Sequence, residues 1–106
     1  MHDMSTTSPA QALLLAAVLF ATGMLGVLAR RNLLLMLMSI EIMLNAAALA
    51  FIAAGARWHA PQGQVMFLMI LSLAAAEAAI GLAIILRLHA AGRPTLDADT
   101  GNRLKG

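Results

Sequence analysis

Residues 33–55 read LLLMLMSIEIMLNAAALAFIAAG, and this stretch decides the fold. Glu41 is its single charge, and Ser39 and Asn45 are its other polar side chains. As an α-helix it would rise about 35 Å, enough for the roughly 30 Å hydrocarbon core of a bilayer. A helix of a soluble bundle would show a polar face at every turn, which this stretch lacks. It predicts a membrane-spanning helix with a carboxyl near its middle.

Two further blocks of the same kind flank it, Ala10–Ala29 and Val65–Leu86, the first without charge and the second with Glu77 as its one charge. The composition agrees, with 61% hydrophobic and 11% charged residues. The expectation is an all-α integral membrane protein, a single membrane domain over residues 1–106 with three transmembrane helices at about 10–29, 33–55 and 65–86. The N-terminal MHDMSTTSPA has no basic n-region and leads into an apolar run too long for a signal peptide, so it is expected to stay as the start of helix 1. The tail over 90–106, AAGRPTLDADTGNRLKG, is polar, contains Gly and Pro, and is expected to leave the bilayer.

Charge orients the three spans. Six of the seven basic residues, Arg30, Arg31, Arg87, Arg93, Arg103 and Lys105, fall on one side and Arg57 alone on the other. The positive-inside bias makes the first side cytoplasmic and puts the N-terminus outside, in the periplasm, with the C-terminus in the cytoplasm. Trp58 and His59, between Arg57 and Pro61, suit an outer interfacial loop. The turn Ala29–Arg30–Arg31–Asn32 is short enough to force helices 1 and 2 into a tight antiparallel hairpin. Arg30 and Arg31 cap that hairpin, in contact with lipid phosphate or with a neighbouring subunit.

Several function classes fall away. The chain has no cysteine, so it cannot by itself hold an iron–sulfur cluster or a disulfide, and no Gly-rich nucleotide loop precedes a helix. His2, His59 and His89 lie outside the spans and at no ligand spacing, so no metal site is expected. The basic residues form no patch of the kind that binds nucleic acid.

The two glutamates carry the chemistry. A charged side chain at a spanning helix centre costs about 3 kcal/mol on insertion scales, and intramembrane carboxyls are by default functional. Glu41 lies eight residues past Leu33 and Glu77 nine before Leu86, so in antiparallel helices both sit about 12–14 Å from the same surface. Asn45 is one turn past Glu41 and extends a narrow polar stripe on helix 2 that also takes in Met38 and Ala48. On helix 3, Ala74, Ala78 and Gly81 permit close approach of another helix, and Ser72 adds a hydroxyl. Five residues separate Ser72 from Glu77, and a π-bulge would bring them onto one face. A carboxyl in hydrocarbon can be neutral, or charged beside a cation from a neighbouring subunit, and a group with both forms within reach is what proton relays use. The plainer reading makes each Glu a hydrogen-bonding clasp between helices.

The segments ARRNLLLMLMSIEIMLNAAALAF (29–51) and GQVMFLMILSLAAAEAAIGLAIIL (63–86) resemble the small membrane subunit K of the proton-pumping NADH:quinone oxidoreductase, bacterial respiratory complex I. The resemblance covers nearly the whole chain, and the segments around Glu41 and Glu77 are its most specific parts. It implies a subunit packed between the quinone-site subunit and the antiporter-like subunits in the bacterial cytoplasmic (inner) membrane. It assigns Glu41 and Glu77 to a polar axis that couples quinone reduction to proton translocation, with Arg30 and Arg31 as the cytoplasmic basic pair. The FMN, the iron–sulfur clusters and the quinone site are implied on partner subunits, with no redox centre or cofactor on this chain. Ala48 departs from the pattern, in which a more polar residue is common. A small subunit of a multisubunit Na+/H+ antiporter shares the size and topology and is an alternative, as is a purely structural assembly subunit. An ATP-synthase rotor subunit would have two spans and one carboxylate rather than three and two.

Overall fold

A computed structural model describes residues 8–92. Three α-helices follow one another, α1 (Pro9–Ala29), α2 (Leu33–Arg57) and α3 (Gln62–Ala90), each long and apolar enough to cross a membrane. The second part of the tail, with Arg93, Arg103 and Lys105, lies outside the described residues, as does His2.

Local chemistry explains the ends. Ser8 and Gln11 form a reciprocal capping box and Pro9 occupies the first turn, where its missing N–H costs nothing. The Oδ1 of Asn32 accepts from the backbone N–H groups of Leu34 (2.9 Å) and Leu35 (3.2 Å), so the residue that ends the turn also starts α2. Between α1 and α2 only Arg30, Arg31 and Asn32 remain, which gives the tight hairpin.

The helices outrun the apolar blocks, and α3 begins at Gln62 and ends at Ala90 where the block spans Val65–Leu86. Twenty-nine residues rise about 44 Å, well beyond a hydrocarbon core of roughly 30 Å. The apolar block reports that core; the helix continues through Gln62, Gln64, Arg87 and His89 because nothing there breaks its backbone hydrogen bonds. The helix is α-helical at every residue, so no π-bulge joins Ser72 to Glu77.

The middle helix holds the other two, and α1 and α3 make no comparable contact with each other. Small residues make both seams. Against α1, the buried Ser39, Ala46 and Ala53 of α2 recur every seven residues, as do the buried Ala16 and Gly23 of α1. A Cβ on Gly26 would collide with the hydroxyl of Ser39, and one on Gly23 would stand 2.6 Å from Cγ of Met43. Against α3, the seam is pinned at two heights. Gly81 receives Leu37, whose Cδ1 would be 2.7 Å from an added Cβ, and Gly55 meets Gly63, where the added Cβ would be 3.0 Å from the Cα. Close backbone approach at small residues is how helices associate where no hydrophobic effect drives them together.

Large apolar side chains point outward on all sides, among them Leu14, Val18, Leu25, Leu28, Leu68, Ile80 and Leu86. A helix set that is hydrophobic all round belongs in lipid or among other apolar helices.

Candidate functional site

The α2–α3 register fixes the relation of the two glutamates. Leu37 and Gly55, eighteen apart on α2, contact Gly81 and Gly63, eighteen apart in the opposite sense on α3. Glu41 lies four residues past Leu37 and Glu77 four before Gly81, so the carboxyl-bearing residues stand at one level of the seam.

They stand on opposite flanks of it. One groove beside the seam is lined by Ile40 and Met36 of α2 with Ile84 and Ile85 of α3. Glu77 precedes Ile84 by seven residues, about 20° around the helix, and so lies on that flank. Glu41 is one residue on from Ile40, about 100° further round, which carries it past Leu37 to the other flank. That second flank opens at the far end of the bundle into a groove formed by Ile52, Ala56, His59 and Gln64, and Ile52 is eleven residues from Glu41, again about 20° off.

Both glutamates are half-buried. Glu41 Oε1 is fully covered and is, among the described residues, the buried side-chain oxygen with no hydrogen-bond partner. Such a group costs about 1–3 kcal/mol more than a satisfied one, so the isolated chain carries the penalty that the sequence announces. The polar stripe expected beyond Glu41 turns outward instead: Asn45 is exposed, as is Met38. The physical reason is the 100° step, since four residues leave Asn45 about 40° past Glu41, on the side away from α3. Ala48 is 2% exposed, and a longer polar side chain there would have to fit between helices.

Ser72 is exposed and its hydroxyl donates to the Leu68 carbonyl at 3.0 Å, about 140° around α3 from Glu77. Thr22, in the middle of α1, does the same to the Val18 carbonyl at 2.8 Å, so both hydroxyls are satisfied within their own helices. The residue that sequence reasoning passed over is Ser39. It is buried against Gly26, and the pairing of a small hydroxyl residue with a glycine across a three-residue turn was the available signal.

At the hairpin end Arg30 and Arg31 are exposed on either side of the turn's centre. At the opposite end the Arg57 guanidinium stands 5.7 Å from the ring centroid of the exposed Trp58, a cation–π pairing. His59 takes a left-handed conformation with φ 51°, which turns the chain before Pro61. Among the described residues no three His, Cys, Asp or Glu side chains converge as a metal site would require.

Three apolar helices of spanning length and a pair of mid-helix carboxyls define the class, a multi-pass membrane protein. The chain belongs to the NADH-ubiquinone/plastoquinone oxidoreductase chain 4L family, whose model matches residues 11–106. An NADH-quinone oxidoreductase subunit K of Gluconacetobacter diazotrophicus is 84% identical over 99 residues, 93% of this chain and 95% of its own. The subunit K of Acidiphilium cryptum is 62% identical over 103 residues, 97% of this chain and all of its own. That of Psychrobacter cryohalolentis is 63% identical over 94 residues, 89% of this chain and 69% of its own.

Proposed function

We propose that the chain is a membrane subunit of a bacterial proton-translocating NADH:quinone oxidoreductase, complex I, and that Glu41 and Glu77 form one lateral proton step within it. The observation that carries this reading is the placement of the two carboxyls at one level on opposite flanks of the α2–α3 seam. A proton arriving in the groove beside one of them reaches the other through water or a third polar group, and the small Ala74 and Ala78 let a neighbouring helix that carries such a group approach closely. An uncharged carboxyl can donate a proton and a charged one can accept it.

A clasp between helices needs a partner for each carboxyl. Glu41 Oε1 has none among the described residues, which favours the relay over a clasp within this chain. The relay is completed by polar groups of neighbouring membrane subunits, with the quinone-site subunit on one side and antiporter-like subunits on the other. FMN, the iron–sulfur clusters and quinone belong to other subunits of the complex, and this chain has no cysteine with which to ligate a cluster. The chain sits in the cytoplasmic (inner) membrane with the Arg30–Asn32 hairpin and the C-terminus in the cytoplasm, following the distribution of its basic residues.

The test is to purify the complex through a tag on this chain and to follow NADH:quinone electron transfer together with proton movement in reconstituted vesicles. Co-purification of both supports the reading. Their absence from a complex that retains this chain would overturn it.

A further inference from the structure

We propose that the outer surface of α3 near its C-terminal end binds one anionic phospholipid, with its phosphate on Arg87 and an acyl chain in the trough formed by Ile80, Ala83, Ile84, Leu88 and Ala91. The trough has a volume of about 470 Å³ and runs along a flank of α3, sharing Ile84 with the groove beside the α2–α3 seam, with Ile80 62% and Ile84 54% exposed. Two small residues, Ala83 and Ala91, lie among larger aliphatic ones and leave a channel along the helix rather than a smooth ridge.

Arg87 supplies the charge. The described acidic residues are Glu41 and Glu77, and Arg87 stands ten residues past Glu77, about 15 Å along the helix axis. That separation is half of a hydrocarbon core of roughly 30 Å, so with Glu77 near the midplane the guanidinium reaches the level of the headgroup phosphates. An exposed guanidinium with no carboxylate at that level among the described residues, rooted in an apolar trough, is complementary to a phosphodiester with a hydrocarbon tail. Arginine holds such a group with two parallel N–H donors, where lysine offers a point charge. The apolar stem of Arg87 can lie along Ile84 while its head reaches the interface. Nothing in this proposal depends on the proton step.

The test uses the intact purified complex, wild type, Arg87→Gln and Arg87→Lys. Native mass spectrometry counts the phospholipids retained, and NADH:quinone activity of delipidated complex is titrated with vesicles of phosphatidylglycerol or of phosphatidylcholine. The expected result is loss of one retained phospholipid in Arg87→Gln and an increase of about fivefold in the phosphatidylglycerol needed for half-maximal reactivation. Arg87→Lys should fall between the two, and phosphatidylcholine should not substitute. Unchanged lipid retention and titration in Arg87→Gln would overturn the proposal. So would equal reactivation by phosphatidylcholine, or loss of the assembled complex in Arg87→Gln, which would instead assign Arg87 to a carboxylate of a neighbouring subunit.

Discussion

Glu41 and Glu77 share one level of the α2–α3 seam and occupy its two opposite flanks. The register follows from the glycine contacts that pin the seam, Gly81 on Leu37 and Gly55 on Gly63. A pair on one flank would serve a path running along the helices; a pair that straddles the seam suits one that passes between them.

The series arrangement predicts non-additive losses. Glu77→Gln should leave the complex assembled and reduce NADH-driven proton pumping to a degree comparable with, or milder than, Glu41→Gln. The double variant should be no worse than roughly the more severe single one, because residues acting as one unit do not add. Initial rates of vesicle acidification for the three variants, normalised to complex quantity, check this. Additive losses in log rate would mean separate paths.

Placement around α2 should matter more than distance along it. In a Glu41→Ala background, Asn45→Glu puts a carboxyl on the same flank, shifted about 6 Å along the axis, and partial recovery of pumping is expected. In the same background Met43→Glu puts it in the α1–α2 seam, where the Met43 Cγ already lies within contact of Gly23. Burial there without a partner should abolish assembly. Complex quantity on a native gel, read with acidification, separates the two, and equal behaviour of both placements would count against the flank assignment.

The seam itself distinguishes two glycines. Gly63→Ala would push a methyl group onto the Phe51 carbonyl oxygen and the Gly55 Cα, backbone atoms that cannot step aside. Gly81→Ala would meet the Leu37 methyl groups, which can rotate away. Overpacking against fixed atoms costs about 1–3 kcal/mol, so Gly63→Ala should lower the amount of assembled complex and Gly81→Ala should leave it near wild type, as quantified by native-gel densitometry.

Much of the architecture was legible because hydrocarbon imposes simple rules. Three charge-poor blocks of spanning length read directly as three helices, and the Arg30–Asn32 turn read as a hairpin because nothing longer fits. The common level of Glu41 and Glu77 was visible too, since antiparallel helices tied by short turns leave little freedom in register. Their flanks were not legible, because which arc of α2 meets α3 depends on where Leu37, Ala48 and Gly55 find their partners. The same ambiguity hid the outward turn of Asn45, which shares a face with Glu41 by spacing but clears the seam by a further fraction of a turn. Ser39, read only as a polar residue of its block, is a related case: the serine by itself does not mark whether it caps, hydrogen-bonds to its own helix as Ser72 does, or fits against a glycine, and its pairing with Gly26 across the hairpin is what points to the last.

The most direct test of the proton step is acidification of inverted membrane vesicles driven by NADH, in a Glu41→Gln strain whose complex quantity matches wild type. The amide keeps the size and hydrogen-bonding capacity of the side chain and removes its titratable proton. The relay account predicts assembled complex with acidification reduced at least about tenfold. Wild-type acidification by that complex would contradict it.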